Sequence, residues 1–153
     1  MGCCSSRPRA LRDEAALDGY HVIRPANANK MNSVSSSAQT TSDYHKIDPI
    51  VLRLPLEDAL EQITNALESM SRCQVVYTRN HGENRDVFVY AVFTTLLCRF
   101  RDDLELLVEE RDADSCVCQV RSASRLGYGD FGVNRARVEE LRKRLAKSRP
   151  QQE

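Results

Sequence analysis

Between Asp102 and Arg135 the chain gathers side chains suited to holding an anion: Arg121, Ser122, Ser124, Arg125, Asp130, Asn134 and Arg135, with Asp102 and Asp103 upstream. An arginine and serine loop that leaves a strand and enters a helix brings guanidinium forks, hydroxyls and unpaired backbone donors to one place. Phosphate or carboxylate fits such a place. The same residues also suit a structural role, in which Arg121, Arg125 and Arg135 pair with Asp102, Asp103 and Asp130 and pin the last helix to a sheet. We favour that second role, because the carboxylates match the arginines in number. Asp102 and Asp103 invite an acid and base reading, but neighbours in a strand point to opposite faces, so one substrate meets both only across a bulge. Cys116 and Cys118 share one strand face, with Cys73 and His81 as remote supplements. Their spacing is not that of a two-residue zinc knuckle, so they read as small buried apolar residues and no metal site is expected. Ser122 and Ser124 lack a motif histidine, and no glycine loop of the P-loop or Rossmann kind occurs, so no catalytic residue and no cofactor is assigned.

A different chemistry is written in "MGCCSSRPR". Removal of Met1 exposes Gly2, and Ser6 fills the serine or threonine position of the N-myristoylation pattern. One myristoyl chain binds membranes reversibly, with a partition constant of about 10⁴ M⁻¹, so lasting attachment needs a second signal. Palmitoylation of Cys3 and Cys4 supplies it, and Arg7 and Arg9 (with Arg12 beyond) lie where an anionic leaflet attracts them. A bacterial lipoprotein requires an apolar run before its cysteine, which this start lacks, so the expectation is a eukaryotic protein at the cytoplasmic face of a membrane, plasma or flagellar. Cysteines there stay reduced, and their even number is not a disulfide framework.

Lysine plus arginine and aspartate plus glutamate number 22 each, so the whole chain has no field that would gather nucleic acid. The distribution is lopsided: residues 46 to 133 carry ten basic and fifteen acidic side chains, and residues 134 to 149 carry seven basic and two acidic. That basic end has no aromatic interleaving, which again speaks against a nucleic-acid partner. No window approaches the roughly 20 apolar residues of a membrane-spanning helix.

These residues need elements to position them. Residues 1–12 read as the acylated anchor and 13–47 as a disordered tether, on the strength of "PANANKMNSVSSSAQTTSD", a polar run without helical or strand period. Its Ser33, Ser35, Ser36, Ser37, Thr40, Thr41 and Ser42 are open to phosphorylation on this reading, and His21 and His45 are ordinary solvated histidines. Residues 48–149 read as one α+β domain: a helix, a four-stranded antiparallel sheet and a C-terminal helix. In "PLEDALEQITNALESM" the apolar residues fall on one side of a helical wheel, with Pro55 at the first helical position. "CQVVYTR", "DVFVYAVFTT", "LELLVEE" and "CVCQVRS" have strand character and turn-rich connections. "VFVYAVF" is apolar on both faces, which predicts helices on one side and a second cover on the other: a ligand, a partner or the tether. "NRARVEELRKRLAK" closes the domain as a helix with Val138, Leu141 and Leu145 on a narrow stripe, flanked by Arg137, Arg142 and Arg144.

The run "VRSASRLGYGDFGVNRARVEELRKRL" resembles the signature of domain-of-unknown-function family 1499, and the resemblance extends back through "FRDDLELLVEE" to cover about residues 50–147. It implies a fold boundary and candidate residues but no established activity. The expectation is a binding or scaffolding module held by acyl chains at the inner face of a membrane, with a protein partner. The alternatives are an anion-ligand-binding or hydrolytic domain using the Arg121 to Arg135 loop, and a peripheral structural component docking another protein.

Overall fold

The computed structural model describes residues 23–81 and 85–148, apart from the side chain of His81. Its centre is an antiparallel sheet of four long strands, β3 (Cys73–His81), β4 (Asp86–Thr94), β5 (Arg101–Asp112) and β6 (Ser115–Ser124), each paired with the next. Two short strands, β1 (Ser33–Ser35) and β2 (Ile50–Leu52), lie end to end along the outer edge of β6. The α+β class holds, and the sheet has six strands where the sequence predicts four.

Helices α1 (Leu56–Glu68) and α2 (Val133–Lys147) cover one face of the sheet. Strand alternation decides what meets them. Val87, Val89, Ala91 and Phe93 of β4, Leu104, Leu106 and Val108 of β5 and Cys116, Cys118 and Val120 of β6 form the main core with Ile63 and Leu67 of α1 and Val138, Leu141 and Leu145 of α2. Pro55 stands just outside α1 as its cap, one position earlier than predicted, and Glu57 and Asp58 sit at the positive end of the helix. The apolar stripe of α2 is completed by two buried polar residues, Asn134 and Arg137, at the same three- and four-residue spacing.

The opposite face of β4 and β5 carries Phe88, Tyr90, Val92 and Leu107, and Ile23 packs into this cluster. Of the three covers the sequence left open, the segment ahead of β1 thus supplies at least part. This corrects the disordered tether over its described portion, 23–47. Ser33 and Ser35 are buried in β1, Ser37 and Thr40 are buried after it, and Val34, Ile47 and Ile50 enter the main core. The run reads as disordered because its hydroxyls are those of a solvated linker, whereas here they are wholly or partly buried and find partners within the fold. Ser35 Oγ donates to the Arg24 carbonyl at 2.7 Å, Ser33 Oγ accepts from the Asn27 N–H at 3.0 Å, and Ser36 Oγ accepts from the Val120 N–H at 2.8 Å. His45 is likewise buried rather than solvated, its Nδ1–H donating to the Ser33 carbonyl at 2.8 Å. Phosphorylation at Ser33 or Ser35 would therefore break packing rather than decorate a tether. Gly2, Cys3, Cys4, Arg7, Arg9 and His21 lie outside the described residues.

Candidate functional site

The candidate residues do not converge on one cavity; the pleat sorts them into two networks on opposite sides of the sheet. On the helix side, Ser122 of β6 and Asp102 of β5 meet α2. Arg137 donates from Nη2 to Asp102 Oδ2 at 2.6 Å and from Nη1 to Ser122 Oγ at 2.9 Å and Asn134 Oδ1 at 2.6 Å. Its guanidinium also lies 4.6 Å from the centre of the Phe93 ring. Asn134 Nδ2 donates to Ser124 Oγ at 2.9 Å, Asp130 Oδ2 at 2.7 Å and the Asn32 carbonyl at 3.0 Å, so the helix start, the end of β6 and the approach to β1 share one knot. Burial alone would raise the Asp130 carboxyl, but hydrogen bonds from Asn134 and the Gly132 N–H outweigh it and hold the group below the usual carboxylate range.

On the other side, Arg125 grips Asp103 through Nη2 at 2.6 Å and Nε at 2.9 Å, and the Tyr90 hydroxyl donates to the same carboxylate at 2.5 Å. Burial favours the neutral form of Arg125, yet the Asp103 carboxylate prevails and the guanidinium pKa rises. Burial and then the bond to Asp103 push the Tyr90 hydroxyl up. Farther along this face the fully buried Glu105 accepts from Arg121 Nη1 at 2.9 Å and from Arg24. Arg121 Nε also donates to the Pro25 carbonyl at 3.2 Å.

The arginines are taken up by internal partners, but Arg121 and Arg125 are engaged on the sheet face away from α2, and the ion pair that joins α2 to the sheet is Arg137 with Asp102. Arg125 meets Asp103, one of the carboxylates expected, whereas Arg121 meets Glu105, and Arg135 donates to the carbonyls of Tyr44 at 2.7 Å and Lys46 at 2.6 Å. Arg142 does the same with Asp48 at 2.7 Å and Pro49 at 3.0 Å. The basic helix thus spends much of its charge on the backbone of residues 44–49. Asp102 and Asp103 face opposite ways, as alternation requires. Among the described residues the one buried side-chain polar atom without a partner is Gln62 Oε1, far from either network in sequence. Glu105, Asn32 and Arg24 are not among the residues the sequence singles out, and Arg137 is singled out only as a flank of the α2 stripe. The spacing of Asn134, Arg137, Leu141 and Leu145 was the available sign for Arg137, and a lone glutamate among alternating leucines was the sign for Glu105.

Cys116 and Cys118 lie within the main core, and burial pushes the Cys118 thiol up to about 12 and raises that of Cys116. Cys73, half-buried, is pushed up to about 11 by the same cause. Thiols held protonated in this way are poor nucleophiles and poor metal ligands. Among the described residues no group of histidine, cysteine, aspartate and glutamate is arranged for a metal.

Beside the Asp130 knot opens a cleft of about 440 Å³, with Leu96, Leu97, Phe100 and Leu126 along its walls and Asp102 and Ser124 deeper in. Those two polar side chains already serve Arg137 and Asn134. The opening is apolar, not an anion cradle.

A family model described as protein of unknown function (DUF1499) matches residues 4–145. The chain belongs to that family. The DUF1499 match begins well before residue 50, where the resemblance in sequence was expected to start, and it takes in the segment 23–47 that packs on the sheet. No curated protein and no solved structure matches the chain. The run 121–137 of this chain contributes Ser122, Asn134 and Arg137 to the network that joins α2 to the sheet and Arg121 and Arg125 to the network on the opposite face.

Proposed function

We propose that this DUF1499 protein is a lipid-anchored binding or scaffolding module at the inner face of a membrane, without a reacting centre of its own. One observation carries the second half: the polar side chains that chemistry would need between Asp102 and Arg137 are spent on one another and on backbone carbonyls. A site built for an anionic substrate keeps donors directed at the place the anion will occupy. The first half rests on Gly2, Cys3, Cys4 and Ser6, whose types and order match a myristoylated and palmitoylated start.

Gly2→Ala tests the anchor. Without the first acyl chain the cysteines rarely reach palmitoylating enzymes, so the variant moves from the membrane pellet to the soluble fraction of cells. Cys3→Ala combined with Cys4→Ala leaves weak attachment that washing removes. Unchanged partition of Gly2→Ala would sink the anchor.

A further inference from the structure

One end of the sheet is built unlike the rest of the described surface. There β4 turns into β5 and β6 runs on toward α2, and the two connections carry large apolar side chains outward. Leu97 is 92 % exposed and Phe131 fully so, with Leu96, Phe100, Leu126 and Tyr128 exposed around them. Scattered exposed leucines need no explanation, but a contiguous apolar patch on two neighbouring loops marks a contact surface. Phe131 also holds φ at 53°, in the left-handed region that a bulky residue occupies at a cost. Its exposed ring wins no packing in return. Backbone strain without internal compensation is characteristic of residues held for an external contact.

Charge at this end identifies the occupant. Arg99 and Arg101 are exposed beside the apolar side chains, and among the described residues no carboxylate pairs with either. The one carboxylate of the 125–133 connection, Asp130, is turned inward onto the Gly132 N–H at 2.9 Å and onto Asn134. We propose that this end rests on an anionic bilayer, with Leu97 and Phe131 entering the boundary between headgroups and acyl chains and Arg99 and Arg101 meeting lipid phosphates. Tyr128, apolar in its ring and polar at its tip, suits the same depth. The geometry favours a plane over a small apolar ligand in the cleft. Leu97 and Phe131 border the cleft but are almost wholly exposed, so a molecule lodged between the loops would cover only their inner sides, whereas a plane would cover the rest. The inference rests on the membrane setting proposed above but not on the acyl chains: it gives the domain a second, protein-borne contact that fixes its orientation on the surface.

The test uses the full chain made in a host without N-myristoyltransferase, so that no acyl chain contributes, sedimented with vesicles of phosphatidylcholine and phosphatidylserine in equal parts. The parent co-sediments, loses binding as salt is raised, and stays in the supernatant with phosphatidylcholine alone. Leu97→Ser combined with Phe131→Ser weakens binding by about tenfold or more, and Arg99→Gln combined with Arg101→Gln does so on the order of tenfold. All four side chains are exposed, so the melting temperature holds in both variants and folding does not confuse the result. A parent that ignores the anionic vesicles overturns the proposal, as does binding that survives both pairs of substitutions. So does a parent that self-associates through these loops instead of binding lipid. Because the chain is unacylated, failure here leaves the Gly2 anchor standing, and failure of Gly2→Ala in cells leaves this contact standing.

Discussion

Arg137→Ala is expected to cost the domain about 3 to 5 kcal/mol, because it strands the buried carboxylate of Asp102 without its counter-ion. Asp102 and Arg137 have side chains only 3 % and 7 % exposed, so water cannot readily replace the lost partner. Ser122 and Asn134 lose a donor at the same stroke. Domains of this size have only about 5 to 15 kcal/mol of stability, so the melting temperature falls on the order of 10 °C or more. Arg137→Lys recovers little, since a point ammonium cannot serve Asp102 and Ser122 from two arms of a planar fork. The decisive comparison is the double variant Arg137→Met with Asp102→Leu, which removes both charges and keeps apolar volume. Its melting temperature returns most of the way toward the parent, because the loss in the single variant comes mainly from the uncompensated carboxylate. A single variant that melts with the parent would show that the pair does not hold α2 to β5.

Glu105→Ala has a comparable effect on the other face and adds a local signature. Glu105 is 1 % exposed and accepts from Arg121 of β6 and from Arg24 of the segment ahead of β1, so its loss leaves two neighbouring guanidinium groups without their shared carboxylate. The cost is about 3 kcal/mol or more, moderated because Arg24 is partly open to water. Arg24 belongs to the segment that leads into β1, whose pairing with β6 is only three residues long. Amides of Ser33–Ser35 therefore exchange with solvent sooner in the variant, while those in the middle of β4 and β5 keep their relative protection. Glu105→Gln retains an acceptor and loses less. Uniform loss of protection across the whole sheet would mean that Glu105 does not specifically hold the entering segment.

Periodicity carried the strongest elements. Ile63 and Leu67 at helical spacing, and Val87, Val89 and Ala91 alternating with Phe88, Tyr90 and Val92, state both the element and the face it buries. The edge was harder. β1 and β2 are three residues each and take their order from β6, so Ser33–Ser35 has no pattern of its own and its hydroxyls imitate a solvated linker. The candidate site was legible in its residues but not in its partners. Alternation rightly separates Asp102 from Asp103, yet which arginine each one meets depends on how α2 crosses the sheet, a tertiary fact absent from spacing. Arg137 shows the difficulty: a charged residue within an apolar stripe reads as a flank until its carboxylate is known. The exposed loop end was passed over for a related reason, because Leu96 and Leu97 in sequence are indistinguishable from core leucines.

Two features define this protein: the Arg121 to Arg135 region engages partners within the chain, and the start of the chain is proposed to hold it at a membrane. Native mass spectrometry of the full chain, purified gently from cells that make it, addresses both parts at once. The expected mass carries acyl additions on Gly2 and on Cys3 or Cys4, with no small anion retained, and the same holds for Arg125→Ala apart from its lower melting temperature. An unacylated chain that arrives with a small anionic molecule, and loses it on Arg125→Ala without loss of stability, would contradict the account and make the region a binding site.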